Sequence, residues 1–272
     1  MLAETNRPST ITDSEWCEAI IKSVGDEGIS IGGIELPRFP EERLQNLTIQ
    51  SGASEVMLRG ASTLYSHVKN ACQDLGRPLN TDTTILDFGC GWGRIARFFL
   101  KEIDVDNIHG VEVLEELAEA CKASFKTENF HTIKQTGLLP FESNLFDVVF
   151  ANSVFSHLNV DLNIHWLNEL ERVLKPGGVA ALTVIDIEKY EKMSASGSEW
   201  FASLGINDET TREKLSSGEF VWVTTNRQGE LDGYGLTFIP IDWIKENWTH
   251  NMKFVDVNQD YSQSIVILQK NL

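Results

Sequence analysis

The sequence predicts an α/β protein whose mostly parallel sheet is covered by helices on both faces. Three observations carry that expectation. From about residue 83 onward, apolar runs of strand length alternate with amphipathic stretches of helical period. The first of those runs, Ile85-Leu86-Asp87-Phe88, breaks into three glycines on alternate positions, Gly89, Gly91 and Gly93, before the next helical pattern begins. A strand, a tight glycine turn and a helix are how open α/β sheets hold a ligand at the carboxyl ends of their strands. A later run, Phe146-Asp147-Val148-Val149-Phe150-Ala151, is almost continuously apolar, as a strand buried on both faces must be.

The bulk properties fit one large domain with an appendage. The chain has 272 residues, 42% of them hydrophobic and 23% charged, which is ordinary globular composition. No apolar run approaches the roughly 18 residues that cross a bilayer. The beginning, Met1-Leu2-Ala3-Glu4-Thr5-Asn6-Arg7-Pro8, lacks the basic and apolar regions of a secretory signal, so the cytoplasm is the expected compartment. Cys17, Cys72, Cys90 and Cys121 have no metal-ligand spacing and read as reduced core thiols, with no metal expected. A formal charge of −17 repels phosphate backbones and anionic membrane surfaces, which argues against nucleic-acid and membrane partners. The densest basic groups, Lys122/Lys126 and Arg94/Arg97/Lys101, fall at helical spacing and read as solvated faces.

Along the chain, residues 1–80 read as a helical N-terminal extension. Asp13-Ser14 can cap a helix carrying Trp16, Ala19 and Ile20 that stops at Gly25. Residues 28–40, rich in Gly and Pro, read as an extended loop. Residues 54–75 form a stronger helix, with Met57, Ala61, Leu64, Val68, Ala71 and Leu75 on one stripe and Gly76 as its stop. The main domain, residues 81–272, then gives strands at 84–88, 108–113, 131–135, 146–151 and 179–185. The helices between them turn Ile95, Phe99 and Ile103, then Leu114, Leu117, Ala118 and Cys121, then Trp166, Leu167, Leu170, Val173 and Leu174 toward the sheet. The last of these helices stops at Lys175-Pro176-Gly177-Gly178. An insertion at about 187–240 breaks the rhythm with two short polar helices and a hairpin of 220–225 with 235–239 around residues 226–229. It is a candidate lid. A helix at 241–248 and strands at 253–257 and 264–268 close the chain.

Three ligands compete for the glycine loop. A nucleoside triphosphate needs a Lys reaching its phosphates after the glycines, and none follows. A dinucleotide needs its third glycine one position later, to seat a pyrophosphate on the helix N-terminus. Asp87, two residues before Gly89, would oppose a pyrophosphate but suits a ligand carrying an ammonium and a sulfonium, because opposite charges attract strongly in a partly dry cleft. That favours S-adenosylmethionine. Glu112, 19 residues beyond Gly93, ends the next strand where a carboxylate can take both ribose hydroxyls.

With these residues the chain resembles the class I S-adenosylmethionine-dependent methyltransferases. The resemblance is carried by the glycine loop through Arg94, by Gly110-Val111-Glu112-Val113, by Leu139-Pro140-Phe141 with the fourth strand, and by Leu170-Glu171-Arg172-Val173-Leu174-Lys175-Pro176-Gly177-Gly178, in the family's order. It implies a Rossmann-like seven-stranded sheet of order 3-2-1-4-5-7-6 with the last strand antiparallel. It implies that Asp87, Gly89, Cys90, Gly91 and Gly93 hold the methionine end of S-adenosyl-L-methionine, that Glu112 and Val113 hold the ribose, and that Thr136 and Gly137 line the adenine. Asn152 is carried over as a further cofactor contact. Arg59 resembles forepart arginines that reach the cofactor carboxylate, beside its reading as a solvated helix charge. The family often has an Asp at the adenine position, which this chain lacks.

The chemistry implied is methyl transfer to an oxygen or nitrogen, leaving S-adenosyl-L-homocysteine. The enzyme mainly supplies alignment and, for a poor nucleophile, a base. The turn Asn152-Ser153-Val154-Phe155-Ser156-His157-Leu158 faces the transferred methyl in this fold. His157 is the best base by type, with a bracing role in the turn as its other reading. His165, Asp186, Tyr190, Tyr234 and Trp222 are further candidates near the acceptor, the last three from the insertion with its aromatics Trp200, Phe201, Phe220 and Phe238. No Asn-Pro-Pro-Tyr run follows the fourth strand, which with the acidic charge points to a small-molecule, peptide or sugar natural-product acceptor. The alternatives are a non-catalytic cofactor-binding or scaffold module of the same fold, and a dehydrogenase.

Overall fold

The computed structural model describes residues 11–26, 28–48, 52–197, 199–206, 209–225 and 233–272. The chain divides into two compact units, residues 1–134 and 135–272.

In the first unit, α1 (Asp13–Lys22) is capped one residue earlier than the sequence suggests. Thr12 accepts the Glu15 N–H while Glu15 reaches back to the Thr12 N–H, a reciprocal capping box. Residues 30–35, read as loop, form a minimal hairpin of β1 (Ser30–Ile31) and β2 (Ile34–Glu35). Gly32 and Gly33 both take positive φ, the two-residue turn that matches strand twist. A short α2 (Glu42–Gln45) precedes α3 (Glu55–Asp74), which ends at Gly76 as expected. The buried stripe of α3 is Leu58, Ala61, Leu64, Tyr65, Val68 and Cys72, so its centre lies one residue beyond Met57 and Ala71. Tyr65 is wholly buried and draws the stripe toward its own side. Then follow β3 (Ile85–Phe88), α4 (Ala96–Phe99), a 3₁₀ turn (Val105–Asn107), β4 (Ile108–Glu112), α5 (Glu115–Phe125) and β5 (Phe130–Thr132). Trp16 of α1 is wholly buried and donates its indole N–H to Phe98 O at 2.9 Å, which joins the forepart to the helix after the glycine loop.

The second unit runs β6 (Phe146–Ala151), α6 (Val160–Val173), β7 (Leu174–Val184), α7 (Ile187–Ala195), α8 (Glu199–Ser203), α9 (Glu209–Ser216), β8 (Val221–Val223), β9 (Leu236–Phe238), α10 (Ile241–Asn247), β10 (Met252–Asn258) and β11 (Ser264–Lys270). β7 begins earlier than expected. Lys175-Pro176-Gly177-Gly178 is built into it as a register shift against β6, with Gly177 at φ +73° absorbing the kink. A Cβ on Gly178 would stand 2.8 Å from Lys175 O. The expected hairpin is present as β8 paired antiparallel with β9, and its turn at 226–229 lies outside the described residues.

The main sheet has seven strands in the order β10-β11-β7-β6-β3-β4-β5. Numbered in chain order and read from the other edge, this is 3-2-1-4-5-7-6, and β11 runs antiparallel to both its neighbours, as expected from the resemblance. The β3–β4, β4–β5 and β6–β7 pairs are parallel.

Candidate active site

The glycine loop follows from local geometry. Gly89, Gly91 and Gly93 have φ of +77°, +53° and +76°, values that residues with a Cβ rarely adopt. Gly89 and Cys90 both donate their N–H to Val111 O, at 2.9 and 3.0 Å, and so fold the loop back over β4. Gly93 also lies so close to α5 that a Cβ there would meet Phe125 Cε2 at 2.5 Å.

Two carboxylates flank this loop. Asp87 is 2% exposed and its Oδ2 has no hydrogen-bond partner among the described residues. Burial raises its pKa well above the ordinary carboxylate range; the Arg94 guanidinium opposes the rise and the charge of Glu112 adds to it. A buried acceptor atom without a donor is a standing cost, and a cationic ligand group removes it. Glu112 is also buried, and burial raises its pKa. It accepts the N–H of Gly91 through Oε2 at 3.0 Å and those of Val113 and Leu114 through Oε1 at 2.7 and 3.2 Å. A carboxylate offers about four lone-pair positions. Taking two ribose hydroxyls therefore requires one of these bonds to yield. Val113, beside Glu112, is 36% exposed. The residues fit a ligand that brings a cation to Asp87 and hydroxyls to Glu112.

Cys90 is buried beside Cys121, whose thiol also reaches Gly91 O at 3.3 Å, and all four cysteines are free and buried. The hydrogen bond with Cys121, together with burial, pushes the Cys90 thiol up, so it is an inert wall of the loop.

Two residues here were read otherwise in the sequence. Arg94 and Arg97 are buried, not part of a solvated face. Arg94 donates to Met57 O at 2.9 Å. Arg97 is 1% exposed, lies over the Phe39 ring at 4.0 Å and donates to Gly93 O and Pro37 O, with its pKa lowered by burial to about 9. The periodicity was correct, but the face it placed in water is covered by residues 37–39. Arg59 pairs with Glu18 and Glu55, both at 2.7 Å, on the exposed side of α3, the solvated-charge reading. Thr48 was not singled out; its Cγ2 stands 3.1 Å from where a Cβ on Gly91 would be, so it forms a roof over the loop.

In the second unit the turn after β6 gathers polar groups. Ser153 has φ +58°, a conformation that costs energy for a non-glycine residue and recurs at functional turns. The ring of His157 places Nδ1 2.7 Å from Gly235 O. A carbonyl only accepts, so Nδ1 carries the proton and Nε2 is the basic nitrogen. Nε2 lies 3.4 Å from Ser153 Oγ. Tyr234 stacks on the His157 ring, with centroids 4.8 Å apart and planes 13° apart. The structure thus joins two of the candidates, from segments far apart in sequence. Gln263 was not foreseen. Its amide accepts from Thr183 and donates to Ser153 and Ser156, which holds the turn. Asn152 accepts from Tyr261 at 3.0 Å.

The remaining candidates separate. Tyr190 is a correction: it is wholly buried, donates to Ile206 O at 2.7 Å and packs on Phe201 and Phe238, so it is the core of the insertion rather than a substrate contact. Trp222 is half-buried against Gly235, with its indole N–H unpartnered among the described residues. Thr136 and Gly137 are exposed, and Gly137 O accepts from His165 at 2.7 Å. Asp186 is 1% exposed and caps α7 through the Lys189 N–H. Among the described residues no cluster of His, Cys, Asp or Glu could hold a metal ion, and no helix is long and apolar enough to cross a membrane.

Residues 86–182 match a family model described as a methyltransferase domain. The chain is 33% identical over 115 residues to an uncharacterized methyltransferase of Schizosaccharomyces pombe, a match covering 38% of this chain and 40% of that protein. It is 35% identical over 103 residues to a mitochondrial arginine-hydroxylase of Mus musculus, covering 35% of this chain and 26% of that one. The chain therefore spans less than half the length of these curated relatives. The solved structure of an S-adenosylmethionine-dependent methyltransferase from Clostridium acetobutylicum superposes with a TM-score of 0.53 at 12% identity, over 79% of this chain and 92% of that one, a likeness of fold. Residues 86–182 thus belong to the methyltransferase domain family, on the Rossmann-like seven-stranded fold of the class I S-adenosylmethionine-dependent methyltransferases.

Proposed function

We propose that this protein binds S-adenosyl-L-methionine at the glycine loop and methylates an oxygen or nitrogen of a small molecule or natural-product intermediate, a peptide or sugar among them, in the cytoplasm. The observation that carries the reading is Asp87 Oδ2, a buried acceptor without a donor directly before three glycines of positive φ. Asp87 and the loop glycines would hold the methionine end and Glu112 the ribose. When bound, the cofactor supplies a methyl group already activated by its sulfonium.

The chain's own part is alignment and proton handling. The acceptor must be held in line with the methyl, because orientation supplies most of the rate for such a displacement. His157, its Nδ1–H committed to Gly235 O, keeps Nε2 as the acceptor for a proton leaving a hydroxyl or amine. Ser153 lies within reach of that nitrogen to relay the proton. Four buried free thiols suit a reducing compartment.

Calorimetric titration with S-adenosylhomocysteine tests the cofactor, and incubation with tritium-labelled cofactor and fractionated metabolite extract tests the transfer. Binding without transfer into any fraction favours a non-catalytic module. The arginine-hydroxylase relative supports a different point, that one domain family serves chemistries other than methyl transfer. NADH fluorescence enhancement would instead indicate a dehydrogenase.

A further inference from the structure

The second compact unit holds a cleft of about 550 Å³ along α7 and the turn joining β10 to β11, lined by Lys189, Lys192, Met193, Gln259, Asp260 and Tyr261 among others. Its volume is that of a small-molecule site. We infer that this cleft binds a small molecule carrying an oxyanion, a carboxylate or a phosphate, with Lys189 as its counter-charge. Naming that molecule the methyl acceptor rests on the function proposed above.

Lys189 is the reason. Lysine is almost never fully buried unless paired, yet this one is 5% exposed and makes no ion pair among the described residues. It lies in the first turn of α7, where the positive end of the helix dipole opposes a cation. Its ammonium has three N–H donors and, among the described residues, one acceptor, Gln259 O at 2.5 Å.

Two of the three acids nearby are already committed. Asp186 accepts the Lys189 backbone N–H through Oδ1 at 3.0 Å and the Gln259 amide through Oδ2 at 2.8 Å. Glu188 pairs with Lys192 at 2.6 Å, and Asp260 is exposed to solvent. Burial, with the like charge of Lys192, lowers the Lys189 pKa. An oxyanion in the cleft would fill the two open donors and reverse that shift.

The cleft also connects to the turn after β6. Tyr261, one of its walls, donates to Asn152 at 3.0 Å, directly beyond the end of the strand. If Lys189 served only to tie the turn to α7 through Gln259, its removal would lower stability and leave ligand binding unchanged.

Calorimetric titration of the full chain with phthalate, citrate and inorganic phosphate decides this, with S-adenosylhomocysteine titrated separately as a control. At least one anion is expected to saturate a single site, and the preference between carboxylates and phosphate identifies the source of the oxyanion. Lys189→Met should weaken that binding at least tenfold and leave the S-adenosylhomocysteine affinity unchanged. Ser196→Trp, which enters the cleft from an exposed rim position, should do the same without disturbing a buried contact. Lys192→Met, exposed and already paired, should change it less than threefold. Absence of saturable binding for all three anions, or equal binding in Lys189→Met, Ser196→Trp and the parent, overturns the inference. Failure of S-adenosylhomocysteine to bind the parent counts against the proposed function and not against the cleft.

Discussion

A buried carboxylate with one oxygen lacking a donor makes Asp87 a residue whose function and stability oppose each other. Its folded pKa is raised, so the folded state holds the proton more tightly than the unfolded chain does. Stability is therefore greatest below the ordinary carboxylate value of 3.8 and is lost as pH rises through and above it. Asp87→Asn keeps the shape and removes the charge. In the cofactor-free protein at pH 7 it should stabilise by about 1–3 kcal/mol, because it removes a charge that burial disfavours, while abolishing S-adenosylhomocysteine binding. Urea titrations at pH 7 and pH 4 check this, since the gain must shrink at the lower pH. Gly93 makes the opposite case, a residue that shape alone requires. Gly93→Ala adds left-handed strain and a 2.5 Å contact with Phe125, and should cost about 2–4 kcal/mol in the same titration. Both positions were legible in the sequence, because a glycine triplet and a preceding acid are local signals. Lys189, Gln263 and Thr48 were not, because each acquires meaning only from a partner brought by the fold: a bare turn, three hydroxyls, or a distant glycine.

At the level of elements, regular segments with clear period were readable and punctuated ones were not. β6 and α3 lie within a residue of expectation because a buried run and a long stripe leave one solution. The β1–β2 hairpin was missed because two residues per strand give no alternation to detect. The KPGG segment was read as a full stop between helix and strand, whereas a glycine at positive φ let the strand absorb it as a bulge. The insertion was recognised as a break in rhythm, but its aromatics gave no sign of which face inward. Phe201, Phe238, Ile206, Leu215 and Leu236 gather around Tyr190, so this segment has a small core of its own. Tyr190→Ala should cost about 3–5 kcal/mol and raise amide exchange throughout α7, α9 and β8–β9. Tyr190→Phe removes only the bond to Ile206 O and should cost about 0.5–1.5 kcal/mol. If Tyr190→Ala lost methyl transfer while exchange in these elements stayed protected, the tyrosine would be a substrate contact after all.

For the whole molecule, the relevant quantity is a net charge of −17 acting on a small charged cofactor. S-adenosylmethionine carries one more positive charge than S-adenosylhomocysteine, its sulfonium. The fields of Asp87, Glu112 and the acidic surface therefore favour the reactant over the product, and salt screens the distant part of that preference while leaving the buried part. Raising sodium chloride from 20 to 500 mM should weaken S-adenosylmethionine binding by roughly two- to fivefold and hardly change S-adenosylhomocysteine, because a Debye length falling from about 20 to 4 Å removes surface contributions first. Parallel calorimetric titrations at matched pH measure both. At about 100 times its dissociation constant, S-adenosylhomocysteine should also stabilise the fold by about 2.7 kcal/mol, a rise of roughly 5–10 °C in melting temperature for a chain of this size. Equal salt dependence for the two ligands would mean that the acidic surface plays no part in choosing between them, and that Asp87 and Glu112 alone set the preference.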